Sequence, residues 1–268
     1  MSKTCFIIFA HSTQHTIEDV DDMVDNINYF HTDSDFMILH PNMTHPKTRL
    51  NTPLGVLNKS SFIFGPLSKL IKDLTKEEIN SFDHFCLVSA NQYFINEIKF
   101  DLGVNYAQYY HKEDWGQKYN GKDTDKTVEG FPLQQPYGRW DAKDFYKAIE
   151  LETTPMVANW ECLTVTKEVM FLAQKYIDLC LEYYPNEDMI NMFLPYMILK
   201  SGQDWEFPPF FGTYDPSNRP GVGLGFNNIL TQQQIDEKLR DGYFSVKRVN
   251  YTKNCALKQY IRETLMTK

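Results

Sequence analysis

Glu187 is the acid whose setting best suits proton transfer. It follows the turn Tyr184-Pro185-Asn186 and opens a predicted helix, where unpaired backbone N–H groups and the helix dipole keep a carboxylate ionised and able to accept a proton. An acid in a first helical turn is equally the ordinary cap of that helix, and both readings stand. Trp205-Glu206-Phe207, followed by Pro208-Pro209-Phe210-Phe211, gathers aromatic surface in a stretch that its prolines keep from being helical throughout. Such a segment is either a plug for the core or a platform on which the apolar face of a sugar stacks. The glycine-rich run from Pro220 to Gly225 follows no strand-to-helix turn and lacks the Lys-Ser/Thr ending of a phosphate loop. Taken alone it is a loop.

Metal chemistry finds little support. Asp-x-Asp pairs occur at Asp19/Asp21, Asp33/Asp35 and Asp123/Asp125, and none directly follows a buried strand. The strand from Phe85 to Ser89 leads instead into Ala90-Asn91-Gln92, whose amides are poor partners for a divalent cation compared with carboxylates. The histidines show no metal-ligand spacing on one helix face, and no Gly-x-Ser-x-Gly elbow occurs.

The elements that must position these residues follow from hydrophobic periodicity. Cys5-Phe-Ile-Ile-Phe-Ala10 is a short unbroken apolar run, which argues for a buried parallel strand, and it stops at His11. Thr16 and Asp19 have capping-box spacing, with Ile17, Val20, Val24 and Ile27 following at helical intervals. Asp35 to His40 is the next strand, ending in Pro41-Asn42. Strand, helix, strand within ~40 residues is a βαβ unit, so the front of the chain should be an α/β sheet with a ligand crevice at its strand ends. A helix over 62–74, a capping box at Thr75 and Glu78, and a third buried strand from Phe85 to Ser89 continue the pattern.

Residues 91–138, rich in Tyr, Asn, Gln, Gly and Lys, read as long irregular loops with room for one edge strand. Order returns with a strand over 160–165 and a helix over 167–183. A second helix runs through Ile190, Phe193 and Met197, and a final amphipathic segment capped by Thr231 and Gln234 precedes Tyr243 to Val246. No internal repeat or clear linker interrupts the chain. The expectation is an α/β fold, a single domain over 1–268 with a central, mostly parallel sheet flanked by helices.

Composition limits the partners. The 268 residues are 42% hydrophobic, enough for a sizeable core, and the net charge of −8 gives no overall positive field to collect nucleic acid or anionic membrane. The longest apolar runs fall far short of the ~20 residues that span a bilayer, and no basic-then-apolar leader is visible. A cytoplasmic protein, neither secreted nor membrane-spanning, is expected. The five cysteines are scattered through apolar stretches and are expected to be reduced core residues.

Eight blocks carry a family resemblance. Asp83-His-Phe-Cys-Leu-Val-Ser89 is similar to the W-D-Y-F-I-N-L-S strand of the core-2/I-branching β-1,6-N-acetylglucosaminyltransferase family, which also contains the peptide xylosyltransferases. Phe6 to His11 resembles that family's first strand, and Met37 to Asn42 its Y-I-H-V-D strand. Cys162 to Glu168 resembles W-F-A-L-S-R-E, and Tyr184 to Glu187 the S-P-D-E that follows it. Asp204 to Phe207 resembles the aromatic W-x-Y loop, Arg219 to Gly225 the R-x-x-x-x-x-G loop, and Phe244 to Lys247 the F-A-x-K end motif. The blocks fall in the family's order and cover nearly the whole chain. Asn42 stands where the family has a uracil-contacting acid, and Asn159-Trp160 where it has Gly-Ser, which leaves the donor open.

The resemblance implies a GT-A-like, Rossmann-like fold and an inverting, metal-independent transfer of a sugar, GlcNAc or xylose, from a UDP-linked donor to a glycan hydroxyl. Residues 1–90 would be the nucleotide-sugar-binding half and 91–268 the acceptor-binding and catalytic half. Glu187 would be the general base. Arg219 and Lys247 would neutralise the leaving diphosphate in place of a metal, with neighbouring Arg248 able to exchange roles with Lys247. On residue type alone, Arg219 and Lys247 are two solvated surface cations. His11 and Asn42 would flank the nucleoside, and Trp205 and Phe207 would stack on the acceptor. Arg139 would reach the same acceptor or make a structural salt bridge. No metal or other cofactor is implied, and the partners are the nucleotide sugar and an acceptor oligosaccharide or glycoconjugate. The alternative is a catalytically inactive, lectin-like protein that keeps the aromatic platform.

Overall fold

Burial with a period of two on both faces makes the centre of the sheet. In β1 (Thr4–Phe9) Cys5, Ile7 and Phe9 enter one core while Phe6 and Ile8 enter the other. A strand buried on both faces needs layers above and below it, and an unbroken apolar run with β-branched residues meets that need. The computed structural model describes residues 2–10, 16–39, 64–90, 92–110, 127–128, 131–132, 143–151, 157–183, 187–206, 208, 210–211, 230–247, 249 and 253–267.

Helix α1 (Ile17–Phe30) opens with the expected capping box: Thr16 Oγ1 accepts from Asp19 N at 3.2 Å, and the Asp19 carboxylate accepts from Thr16 N at 3.1 Å. Val20, Val24 and Ile27 are buried, whereas Ile17 is exposed. Strand β2 (Ser34–Leu39), helices α2 (Phe64–Asp73) and α3 (Lys76–Asn80), and strand β3 (His84–Ser89) follow, with α3 capped by Thr75 and Glu78 as its sequence requires. β1 pairs in parallel with β2 on one side and β3 on the other.

The polar stretch after β3 is more regular than its composition suggests. It forms β4 (Gln92–Phe94) and β5 (Asn105–Tyr110), with the short pair β6 (Thr127–Val128) and β7 (Phe131–Pro132) beyond. β5 lies inside the sheet, not at its edge. Its polar residues find partners within the fold: the Asn105 side chain donates to Asp204 O at 3.1 Å and accepts from Thr166 N at 2.9 Å. Periodicity rules see only the polarity of such a residue, whereas the fold satisfies it and buries it.

Helix α4 (Lys143–Ala148) leads to β8 (Val157–Thr166) and α5 (Lys167–Tyr183). A 3₁₀ segment, Glu187–Asn191, precedes α6 (Phe193–Ser201). After β9 (Trp205–Glu206) and β10 (Phe210–Phe211) come α7 (Gln232–Arg240), β11 (Ser245–Lys247) and α8 (Ala256–Thr264). The segment capped by Thr231 is therefore not the last helix. In α8, Leu257 and Ile261 are buried with Lys258 between them, and that lysine obscures the apolar stripe.

The main sheet has the order β2-β1-β3-β8-β5-β9, with only β8 antiparallel to its neighbours. The fold is thus α/β with a mostly parallel central sheet flanked by helices. Helices α2, α3, α5 and α6 cover the first core, whereas α1, α7 and α8 pack on the second beside the small sheet β10-β11-β4. No described helix is long and apolar enough to cross a membrane.

Candidate functional site

In an open α/β sheet a ligand crevice forms outside the carboxyl ends of the parallel strands. Here those ends are Phe9, Leu39 and Ser89, and β8 and β11 bring charge to them. β11 pairs antiparallel with β4, placing Lys247 opposite Gln92. Gln92 ties three elements together: its side-chain oxygen accepts from Ser89 N at 3.3 Å, and its amide donates to Ser245 Oγ at 2.9 Å and to Cys162 Sγ. It is 1% exposed. The amide that looked unsuited to a cation thus fastens the strand bearing Lys247 to β3 and β8.

β8 supplies the carboxylate. Tyr106 of β5 pairs with Thr164 and Gln108 with Asn159, so Ala107 alone faces the four residues Trp160 to Leu163. This excursion changes the parity of the strand. Ala158 and Trp160 enter the first core, Cys162 enters the second, and Leu163 and Val165 return to the first. Cys162 absorbs the irregularity with φ +58°, a left-handed conformation disfavoured for a residue with a Cβ. Bulges of this kind redirect a side chain, and here Glu161 meets Lys247 from the small sheet.

Glu161 Oε1 accepts a charge-assisted hydrogen bond from Lys247 Nζ. The glutamate side chain is 1% exposed and that of the lysine 16%. Lys247 Nζ also lies 5.9 Å from the centroid of the Trp160 ring, within cation–π range, and Trp160 is set edge-on against Phe9 with ring centroids 5.1 Å apart. Glu161 Oε2 is buried with no hydrogen-bond partner among the described residues. Lys247 is therefore not a solvated surface cation, since its ammonium is held against a buried carboxylate near the strand ends. Beneath it, burial pushes the Cys162 thiol up from its ordinary range, so it is a thiol and not a thiolate.

Glu161 was not singled out by motif reasoning. The signal was present all the same: an acid inside the otherwise apolar strand Trp160-Glu-Cys-Leu-Thr-Val165 must find a partner or raise its pKa.

The remaining expected site residues divide by position. His11, Asn42, Arg139, Phe207, Arg219 and Arg248 lie outside the described residues. Glu187 begins the 3₁₀ segment Glu187–Asn191, and the α-helix proper starts after Met192, which has φ −122° and ψ −42°. Met189, Ile190 and Met192 of this stretch are buried in the first core, and the dipole at Glu187 is that of a short 3₁₀ segment. Trp205 is half-buried against the first core and pairs with Asn105 at the start of β5, the end of the sheet opposite Lys247. The segment it opens then reaches β10, where Phe210 pairs with Ser245 and Phe211 with Val246. The structure therefore connects the Trp205 segment to the Lys247 strand without bringing the two side chains together.

Among the described residues no group of three or more His, Cys, Asp or Glu side chains is placed to share a metal ion. No protein-family model matches this chain, and no curated protein matches it in sequence.

Proposed function

We propose that this chain is an inverting glycosyltransferase of GT-A-like type, resembling the core-2/I-branching family, which binds a nucleotide sugar at the carboxyl ends of β1, β2 and β3 and transfers its sugar to a glycan hydroxyl. The single observation that carries the reading is Lys247. It ends the motif Phe244-Ser-Val-Lys247 and stands at those strand ends beside Trp160 and Glu161. A positioned ammonium there can stabilise charge developing on a leaving diphosphate. The mostly parallel sheet supports the reading at the level of fold.

In this mechanism Lys247 binds the diphosphate, aided by Arg219 and Arg248. Glu187 takes the proton from the acceptor hydroxyl as that oxygen attacks the anomeric carbon, a general-base step typically worth about 10²–10⁴-fold. The attack comes from the face opposite the bond that breaks, which inverts the anomeric centre, and the diphosphate leaves with that bond's electron pair. His11 and Asn42 are assigned to the nucleoside, and Phe207 and Arg139 to the acceptor. Trp205 is not needed for donor binding, in keeping with its place against the core.

Thermal denaturation with UDP, UDP-GlcNAc, UDP-xylose and other nucleotide sugars, each with and without EDTA, tests the proposal. A ligand at 100 times its Kd stabilises the folded chain by about 2.7 kcal/mol, which corresponds to a rise of roughly 5 °C or more at this size. A rise that survives EDTA, together with slow hydrolysis of the same donor, is expected. No shift with any nucleotide sugar, coupled with binding of a free glycan, would turn the reading toward the lectin-like alternative.

A further inference from the structure

Lys247 engages one oxygen of Glu161, and the other is the open question at the strand ends. Oε2 is buried, yet no described residue donates to it. Buried carboxylate oxygens in folded proteins are almost always bonded; Asp21 Oδ1 and Asp22 Oδ2 are unbonded too among the described residues, and Glu161 Oε2 differs from them in standing on the bulged part of β8 beside Lys247. Polar side chains on the adjoining strands are committed elsewhere: the Gln92 amide donates to Ser245 and Cys162, and Thr164 Oγ1 donates to Cys162 O at 3.2 Å. The β8 backbone also leaves regular geometry where Glu161 projects, with Cys162 at φ +58° and four residues facing one. A strained non-glycine residue beside a buried charge is the kind of departure that accompanies ligand contact.

We propose that Glu161 Oε2 is a ligand-recognition atom which accepts a hydrogen bond from a hydroxyl of the sugar carried on the diphosphate. The assignment rests on the donor reading of Lys247 and extends it from the phosphate to the sugar. Charge decides the chemical class. A carboxylate that accepts from an ammonium presents the lone pairs of its second oxygen, so it repels phosphate oxygens and selects an O–H or N–H donor. Side by side, Lys247 and Glu161 match an anion joined to a polyol, which is the junction between a diphosphate and its sugar. A site of this kind discriminates against a ligand lacking the hydroxyl, because the buried acceptor is then unpaired.

Glu161→Gln isolates the atom. Its Oε1 can still accept from Lys247, and the opposite amide orientation would point N–H₂ at an ammonium, so the amide donor falls where Oε2 was an acceptor. Calorimetry with UDP, UDP-GlcNAc and UDP-xylose on wild type and variant is the test. The expected result is UDP affinity within about threefold of wild type and, for the sugar nucleotide that wild type prefers, a loss of at least ~10-fold. Equal loss for UDP and for the sugar nucleotide, or no loss for either, overturns the assignment to Glu161. A wild-type chain that binds none of the three overturns the donor reading beneath it. Should Glu161→Gln fail to fold, Glu161→Asp is read against the same ligands: it keeps the charge, withdraws the carboxylate by one methylene, and is expected to show the same sugar-specific loss.

Discussion

Two lysines among the described residues are held against buried carboxylates, and their surroundings differ. Lys258 of α8 is 0% exposed and lies 3.1 Å from Asp22 Oδ2 on α1, an ion-pair contact off hydrogen-bond alignment. The other oxygen of Asp22 accepts from Tyr93 Oη at 3.1 Å and from Arg262 Nη1, and the Tyr93 ring lies 5.0 Å from the Lys258 ammonium. In both carboxylates one oxygen is hydrogen-bonded and the other is not, among the described residues, but the unbonded Asp22 Oδ2 has the Lys258 ammonium against it, whereas Lys247 engages the oxygen of Glu161 that is already bonded. Lys258 joins α1, α8 and β4, whereas Lys247 ties β11 to the bulged part of β8. Neither burial of a charge nor one unbonded oxygen marks a site by itself, and the two pairs are told apart by where they stand and by what the lysine engages.

Asp22→Ala should give the largest effect. It strands the Lys258 ammonium in a site where burial already pushes its pKa down and Asp22 opposes that push. Breaking such a pair typically costs about 3–5 kcal/mol, to be read as a fall in the urea midpoint, with UDP affinity of the folded fraction unchanged. A loss below about 1 kcal/mol would break the contrast between the two pairs.

Lys247→Met should do the reverse. UDP affinity is expected to fall at least tenfold, about 1.4 kcal/mol of binding, with less destabilisation than Asp22→Ala causes. The reason is that Lys247 is partly exposed, its side chain 16% accessible, whereas the lysine that Asp22→Ala strands is 0% exposed. Unaltered UDP binding beside a large loss of stability would make Lys247 a second Lys258.

The smallest effect concerns acid. His31 and His84 sit at the opposite end of the strands, 1% and 0% exposed. His31 bonds Thr4 and Ser34, and His84 bonds Val104 O at 3.0 Å. Burial lowers both pKa values from 6.5, although Asp33 near the first and Asp83 near the second oppose it. The fold therefore prefers the neutral rings, and the unfolded chain takes up protons first as pH falls. Their contribution to stability is complete above pH 6.5 and is lost progressively below it. The melting temperature should fall from pH 7 to pH 5, and His31→Gln with His84→Gln should flatten that slope.

The parts legible in the sequence were those fixed by local rules. The buried run at β1, the capping boxes at Thr16, Thr75 and Thr231, and the helix over 167–183 appear where periodicity and hydroxyl-acid or hydroxyl-amide spacing place them. What escaped depends on distant partners. β5 looked like loop because Asn105 and its neighbours are satisfied by residues ~60–100 positions away. α8 was hidden by a lysine that only Asp22 makes buriable, and Glu161 by a strand whose change of parity no local rule encodes. Of the pair at the strand ends, Lys247 was singled out through its motif and Glu161 was not. His11, Asn42, Arg139, Phe207, Arg219 and Arg248 lie beyond what the structure describes.

The join between α1 and α8 also sets an order of events during synthesis. Asp22 and Arg262 are 240 positions apart, and at about 5–20 residues per second a ribosome needs roughly 12–48 s to make the residues between them. Throughout that interval the nascent chain carries an acidic helix whose cationic partners do not yet exist, and the second core lacks Leu257 and Ile261. The first βαβ unit can pair its strands early, but it cannot seal that face. Chaperone occupancy on ribosome-bound chains should accordingly persist at α1 until α8 emerges, and fall off within one folding time afterward.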